Sequence, residues 1–256
     1  MLILIAESKT MEKNERVFSP DFYHLHTPAG EEEASVIMHR LSEMSPVEIS
    51  STVKISLKMA TELKRMAYEF PLKEIGLTAM DAFTGVVFNN LDFSSLSPDD
   101  KEWAALNIRI ISSLYGWLRP DDIIKPYRLD YSSPVSPDDT PLASYWRSKV
   151  TIRLVKTIQE AGENTILDLL PGDAAKCIDW KLVKRFAKVW KVDFRQTDGE
   201  NIRTPHAGRL KALRGKLLRN IITHRLNTLE KIKVFENDSL MPDPNPMYPD
   251  RISFLV

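Results

Sequence analysis

Short apolar runs alternate along the chain with stripes of apolar residues at helical spacing. The runs MLILI at the N-terminus, TILDLL from Thr165 to Leu170 and ISFLV at the C-terminus predict buried strands, because they are short and rich in β-branched residues or leucine. Residues 189–194 alternate between apolar and polar positions and predict a further strand. The stripes between these strands predict helices, for example within residues 31–70. This succession predicts a mixed α/β (α+β) fold.

The densest pattern lies between residues 97 and 130. Ser97 can cap a helix that carries Pro98 at its first position. A heavy apolar stripe follows, made of Trp103, Leu106, Ile110, Leu114 and Trp117. Gly116 and Pro120 end the pattern, and Asp121 or Asp122 can cap a second short helix. The sequence therefore predicts a helix-hairpin-helix over about residues 98–128.

The turn of this predicted hairpin would suit a phosphate group. Gly116 has no side chain, so neighbouring backbone N–H groups could point outward at an anion. The residues expected to contact phosphate here are Tyr115, Gly116, Trp117, Leu118, Arg119, Lys125 and Arg128. An ordinary helical hairpin with solvated charges would contain the same residues, and that alternative stays open.

Charge is balanced overall but unevenly distributed. The chain has 35 Lys and Arg and 35 Asp and Glu, yet residues 181–233 contain 15 of the basic residues and only 4 of the acidic ones. Within this basic C-terminal region, residues 209–226 predict a helix with a leucine stripe. The basic residues that border the stripe are Arg209, Lys211, Arg214, Lys216, Arg219 and Arg225. Phosphate is their natural partner, although a solvated amphipathic helix would look similar.

Two motifs resemble a known family. LYGWLRPDDIIKPYRLD is similar to the LYGxLRPxDxxxPYRLE signature of the YaaA family of bacterial peroxide-stress proteins, and MLILIAESKT resembles that family's MLILISPAKT start. The resemblance continues weakly over nearly the whole chain. It implies one α/β domain over residues 1–256, with a helix-hairpin-helix, a positively charged cleft, DNA binding and a role in limiting peroxide damage.

The sequence departs from the family pattern at several positions. Ala6 and Glu7 replace a Ser-Pro pair, and Val86 replaces an aspartate. Pro171 and Ala174 stand where polar or aromatic residues are usual. A diverged member that keeps the scaffold but has lost the site is therefore one interpretation of this chain.

A second interpretation is an enzyme that acts on a nucleotide or a nucleic-acid base. Polar residues follow the first predicted strand, at a position where open α/β sheets bind ligands. The candidates for such a pocket are Lys9, Thr10, Tyr127, Arg128 and Lys176. They could supply acid–base and anion-binding groups, but the sequence offers no identifiable nucleophile or paired carboxylates.

Several other classes of function find no support in the sequence. The single Cys177 excludes an intrachain disulfide, and the longest apolar run near the N-terminus, Met1–Ala6, is too short for a signal-peptide core or a membrane span. The histidines, which do not form a persuasive metal-ligand set, are His24, His26, His39, His206 and His224. We expect a cytoplasmic protein without cofactor or metal that binds the DNA backbone without sequence specificity.

Overall fold

The computed structural model describes residues 1–12, 26–72, 76–162, 164–198, 201–244, 246 and 248–256. The helices are α1 Glu31–Glu43, α2 Pro46–Val53, α3 Leu57–Glu69, α4 Ala79–Ala82, α5 Val86–Leu91, α6 Pro98–Asn107, α7 Leu142–Glu160, α8 Trp180–Val183, α9 Ala207–Thr223 and α10 Leu229–Lys233. The strands are β1 Leu2–Ala6, β2 Leu77–Thr78, β3 Ile108–Ser112, β4 Gly116–Leu118, β5 Ile123–Ile124, β6 Thr165–Asp168, β7 Lys188–Asp198, β8 Asn201–Arg203, β9 Met241–Pro242 and β10 Arg251–Leu255. The predicted mixed α/β class is confirmed.

One large sheet forms the centre of the fold. Its strands lie in the order β4-β3-β1-β6-β7-β10-β9, with β8 paired to β7. Strands β3, β1, β6, β7 and β10 are parallel to their neighbours in this series, whereas β4 and β9 pair antiparallel. The carboxyl ends of the parallel strands therefore meet at one edge of the sheet, which we call the carboxyl edge. The predicted strands at both termini and at residues 165–170 and 189–194 are present as β1, β10, β6 and β7.

Helix α9 packs closely against α5. At Gly215 of α9, an added Cβ atom would lie 2.2 Å from the backbone oxygen of Val87 in α5, so only glycine permits this separation between the helices. An added Cβ at Gly85, just before α5, would lie 2.1 Å from the Ser8 hydroxyl. Helix α5 is thus in contact both with α9 and with the loop that follows β1.

The predicted helix-hairpin-helix is wrong. Helix α6 begins at Pro98, after the N-cap Ser97, whose side chain accepts a hydrogen bond from the Asp100 N–H, but it ends at Asn107. Residues Ile108–Ser112 form strand β3, and β3 and β4 make a β-hairpin. The reason lies in the residues at 108–111, because three of the four are isoleucines that suit a central strand between β1 and β4. One of them, Ile110, also fits the helical spacing of the apolar stripe, which makes the local pattern ambiguous.

None of the helices within the described ranges is both long enough and apolar enough to cross a bilayer.

Candidate functional site

Polar side chains from several elements collect at the carboxyl edge, next to the ends of β1, β3 and β6. We call them the carboxyl-edge cluster. Its members are Glu7, Ser112, Ser113, Tyr127, Asp173 and Arg214. Glu7 follows β1, the serines end β3, Asp173 follows β6, and Arg214 lies on α9. The sheet order explains their proximity, since β1 lies between β3 and β6.

Glu7 is held in place through one carboxylate oxygen. Its Oε2 atom accepts a hydrogen bond from the backbone N–H of Ser113 at 2.9 Å and a short one from the Tyr127 hydroxyl. The Tyr127 hydroxyl also lies 2.7 Å from the Ser112 Oγ. Burial raises the pKa of Glu7 to about 7, even though these hydrogen bonds act to lower it. The carboxyl group is therefore fixed in position and titrates near neutral pH.

The second carboxylate oxygen of Glu7, Oε1, differs from Oε2 in its hydrogen bonding. Oε1 accepts no hydrogen bond from any residue of the described ranges. The fully buried Ser113 hydroxyl lies near enough to lower the pKa of Glu7, yet it makes no hydrogen bond of ordinary geometry with a described group. Glu7 thus keeps acceptor capacity beyond what its neighbours use.

Arg214 is partly buried on α9. Burial lowers the pKa of its guanidinium, and the charges of Asp168 and Asp173 raise it. Neither carboxylate bonds to it, and among the described residues the guanidinium has no hydrogen-bond or ion-pair partner. Asp168 instead accepts from the backbone N–H of Leu170 at 2.9 Å and lies 3.6 Å from the Lys191 ammonium. A partly buried arginine without a partner is costly, which marks Arg214 as a ligand candidate.

The predicted pocket residues Lys9 and Arg128 are brought together. Arg128 donates to the backbone oxygen of Lys9 at 3.0 Å, and the Lys9 ammonium pairs with Asp130. Both basic residues line a cleft of about 420 Å³ that Lys54 also borders. Of the other pocket candidates, Thr10 lies 3.1 Å from the Ser8 hydroxyl, Tyr127 binds Glu7, and Lys176 is exposed in the turn after β6.

The hairpin residues Tyr115 to Leu118 are buried. The N–H of Tyr115 donates to the Ser112 Oγ at 3.0 Å, and the N–H of Trp117 donates to the Tyr115 oxygen at 2.7 Å. An added Cβ atom at Gly116 would lie 2.3 Å from the Trp146 ring. These N–H groups are used inside the protein, so the turn does not present the phosphate site that the helical interpretation required.

The two cations that follow the hairpin also have internal partners. The Arg119 Nε donates to Asp121 at 2.9 Å. The Lys125 ammonium donates to the Phe70 oxygen at 2.9 Å and lies over the Phe70 ring at 4.6 Å from its centroid. Both side chains therefore join segments of the fold.

The cations of α9 divide into two groups. Arg219 donates to the backbone oxygens of Leu91 and Asp92, both at 2.8 Å, and Arg225 pairs with Asp100 after the end of the helix. These two residues fasten α9 to the α5–α6 segment. The remaining basic residues of the predicted track are the partly buried Arg214 and the exposed Arg209, Lys211 and Lys216. Arg209 donates to Gln196 near the carboxyl end of β7, so the N-terminal half of α9 lies at the carboxyl edge.

Metal ligation finds no support in the described part of the chain, where no three His, Cys, Asp or Glu side chains group as metal ligands would. His26 lies 3.6 Å from Asp121, and His24 lies outside the described residues. Cys177 is buried, and burial raises the pKa of its thiol to about 12. A buried, protonated thiol suits a packing role.

Sequence reasoning missed Glu7 as a member of the site. The available indication is an ionisable residue directly after the apolar run Met1–Ala6, at the carboxyl end of a predicted strand. The sequence around Glu7 does not reveal this role, because the partners that hold its carboxylate are more than 100 positions away.

Comparison with known proteins gives one consistent result. A family model described as peroxide stress protein YaaA matches residues 1–245. A UPF0246 protein of Bacteroides thetaiotaomicron is 30% identical over 238 residues, covering 92% of this chain and 90% of that protein. A UPF0246 protein of Parabacteroides distasonis is 29% identical over 237 residues, covering 92% and 91%. Another, from Bordetella avium, is 29% identical over 261 residues, covering 99% and 98%.

Proposed function

Because this chain belongs to the YaaA family of peroxide stress proteins, we propose that it binds the phosphate backbone of DNA at the carboxyl edge and so limits oxidative DNA damage. The observation that carries the proposal is the set of exposed cations along this edge. Its members are Lys9 after β1, Lys176 after β6, and Arg209 and Lys211 on α9. Backbone phosphates are the polyanion that such a set suits.

The arrangement favours contacts to phosphate over contacts to bases. Long, exposed lysine and arginine side chains neutralise phosphates but carry little sequence information. Asp130, which pairs with Lys9, and the exposed Asp173 reduce the net positive charge of the edge. We therefore expect moderate affinity that is independent of sequence and falls steeply with salt.

Neutralising two cations of α9 is expected to flatten the salt dependence of DNA binding. In the double variant Arg209→Gln/Lys211→Gln, each lost phosphate contact removes a slope of about 0.9 in log affinity against log salt, up to about 1.8 for both. Fluorescence anisotropy with a short labelled duplex, titrated with salt, measures the slope. Both side chains are exposed, so the melting temperature should change little.

A matched control removes the same charge elsewhere. Arg153→Gln/Lys156→Gln changes two exposed cations of α7, which line a different groove of about 720 Å³. This variant should keep the wild-type slope. If it flattened the slope while the α9 variant did not, the DNA site would lie at the α7 groove and the proposed location would be wrong.

The proposed role in stress has its own test. A strain that lacks the protein should accumulate more oxidative DNA damage after peroxide treatment, and the Arg209→Gln/Lys211→Gln protein should restore protection only in part. Equal damage with and without the protein would contradict the role in DNA protection.

A further inference from the structure

We propose that the α7 groove is a small-molecule site for a nucleoside monophosphate, in which Arg109 and Arg153 bind the phosphate group and Leu106 and Ile152 contact the base. The groove has a volume of about 720 Å³ and lies between α7, the β3–β4 hairpin, the start of α1 and the end of α6. This site goes beyond the proposed DNA binding, whose cations lie at the carboxyl edge.

The cations of the α7 groove are separate from those of the carboxyl edge. Arg109 is the second residue of β3, whereas Ser112 ends that strand at the carboxyl edge. Helix α7 runs back along the sheet, because Trp146 near its start donates to the Ser113 oxygen and its last residues precede the start of β6. Arg153 in the second half of α7 therefore lies toward the same end of the sheet as Arg109.

Arg109 is buried but keeps unused hydrogen-bond donors. Only 8% of its surface is exposed, and its Nη1 atom donates to the backbone oxygens of Ala105, Leu106 and Ile108 at 2.9, 3.2 and 2.6 Å. These bonds fix the orientation of the guanidinium. Its Nε and Nη2 atoms have no partner among the described residues, and neither atom is fully enclosed by protein. Because Arg109 lines the α7 groove, this free edge of the guanidinium opens onto it.

A second arginine faces Arg109 across the hairpin. The antiparallel ladder pairs Ile110 with Leu118, so the adjacent position places Arg119 opposite Arg109 on the same face. Burial, and to a smaller extent the charge of Arg119, lower the pKa of the Arg109 guanidinium to about 10. Asp121 binds Arg119 through Nε and Nη2 but makes no hydrogen bond to Arg109. Arg109 is thus left without a carboxylate in contact, beside a like charge.

The charged side chains of the groove leave two cations unpaired. The paired lysines are Lys149, at 2.9 Å from Glu33, and Lys156, at 3.5 Å from Glu160. Arg153 lines the groove one helical turn after Lys149 and has no hydrogen-bond or ion-pair partner in the described part of the chain. Arg109 and Arg153 therefore remain. A phosphate monoester, with a charge of about −2 at neutral pH, can neutralise both.

Exposed apolar side chains adjoin both of these arginines. Leu106 is 61% exposed and Ile152 is 63% exposed, and both line the groove. The Leu106 oxygen accepts from Arg109, and Ile152 directly precedes Arg153, so each apolar side chain lies next to one of the cations. A free phosphate ion gains nothing from these side chains. A ligand that carries a ring beside its phosphate covers them and removes apolar surface from water.

The same contacts favour a phosphate monoester over other anions. The Nε–Nη2 edge of a guanidinium matches two oxygens of a phosphate or a carboxylate. A monocarboxylate has one charge and leaves the second arginine unneutralised, whereas a phosphate monoester satisfies both. The volume of the groove lies within the range of about 300 to 1,000 Å³ that is typical of small-molecule sites. A nucleoside monophosphate combines the required charge, ring and size.

The experiment is isothermal titration calorimetry of the full chain with the four ribonucleoside 5′-monophosphates, their nucleosides and inorganic phosphate. At least one monophosphate should bind the wild type. Its nucleoside and inorganic phosphate should each bind at least about tenfold more weakly, because each lacks one part of the contacts.

Two variants test the phosphate contacts. Arg153→Gln changes an exposed side chain and should weaken binding by about tenfold without a change in melting temperature. Arg109→Lys keeps the charge but not the planar edge, and it should also weaken binding by about tenfold. The matched control is Arg147→Gln, which removes the same charge from an exposed position of α7 that does not line the groove. This control should bind as the wild type does.

A third variant tests the apolar contacts. Ile152→Ser should weaken binding of the monophosphate by about threefold to tenfold, since it removes apolar surface that the base covers. Val36→Ser is its control, because Val36 is an exposed apolar residue of α1 that does not line the groove. Equal affinities of the two serine variants would contradict the assignment of the base to Ile152.

Three results would overturn the proposal: no monophosphate binds the folded wild type, inorganic phosphate binds as tightly as the best monophosphate, or Arg153→Gln binds as the wild type does. Melting curves establish that each variant is folded. If Arg109→Lys does not fold, Arg153→Gln decides alone, because its side chain is exposed.

A competition experiment distinguishes this site from the DNA site. The best monophosphate should not displace a labelled duplex from the protein, and Arg153→Gln should keep the wild-type salt slope for DNA. Displacement of the duplex would make the α7 groove part of the DNA site and would overturn the proposal of a separate site. Since Arg209 and Lys211 carry the DNA test and Arg109 and Arg153 carry this one, either proposal can fail while the other stands.

Discussion

Replacing Gly116 with alanine is expected to lower the free energy of unfolding by about 2 to 4 kcal/mol. The residue has φ +69°, where any side chain adds strain, and its Cβ would lie 2.3 Å from the Trp146 ring. The ring cannot easily move aside, because its Nε1 donates to the Ser113 oxygen at 2.9 Å. For a protein of this size the loss corresponds to a fall in melting temperature of about 4 to 16 °C.

Gly162 provides the matched control. Its φ of +63° is similar, but an added Cβ there would meet nothing within 4 Å. Gly162→Ala therefore measures the backbone strain alone, which is about 1 kcal/mol. Thermal and urea unfolding of both variants give the cost of the Trp146 contact as the difference between them. Equal losses in the two variants would show that the ring yields and that packing at Gly116 is loose.

The same variant separates packing from phosphate binding. Below its melting temperature, the Gly116→Ala protein should bind DNA with wild-type affinity, because the N–H groups of Tyr115 and Trp117 are already bonded inside the protein. If the folded variant lost affinity for DNA and its salt slope also fell, the prediction would be wrong and the turn would be a phosphate-binding site.

The sequence correctly predicts those elements whose pattern of apolar and polar residues fits only one type of secondary structure. Strand β1 is a continuous apolar run, α2 begins with the capping box of Ser45 and Glu48, and α9 has a leucine stripe. Segment 108–111 is different, because Ile110 fits the helical stripe while the isoleucines together suit a buried strand. Pairing with β1, about 100 residues earlier in the chain, decided between them. A local pattern contains no information about such a partner.

The site was predictable only in part, for a related reason. Lys9 and Arg128 were expected in one pocket and do meet. Arg219 and Arg225 were expected to face phosphate, but their acceptors are provided by α5 and α6, more than 100 positions away. The sequence does not show whether a basic side chain is exposed or paired inside the protein. Only the packing of α9 on the α5–α6 segment makes Arg219 an internally paired cation and leaves Lys211 exposed.

Glu7 should make the protein less stable as pH rises toward neutrality. Its pKa in the folded state is about 7, against an ordinary value of 4.5, so the folded state binds the proton more tightly than the unfolded state. The contribution of Glu7 is therefore most favourable below pH 4.5, declines between about 4.5 and 7, and stays at its low value above. Because Glu7 is partly exposed and solvent screens part of the effect, its contribution to the free energy of unfolding should decline by about 2 to 3 kcal/mol.

Glu7→Gln should abolish this decline, because the amide can still accept from the Ser113 N–H and the Tyr127 hydroxyl but has no proton to lose. Urea unfolding of both proteins across this pH range gives the contribution of Glu7 as the difference in free energy. Subtraction is needed because burial also raises the pKa of Asp122 to about 7, and that carboxyl is present in both proteins. Above neutral pH the variant should be the more stable of the two. A difference that stays constant with pH would mean that Glu7 titrates at its ordinary value, and that its carboxylate is ionised in the folded protein at neutral pH.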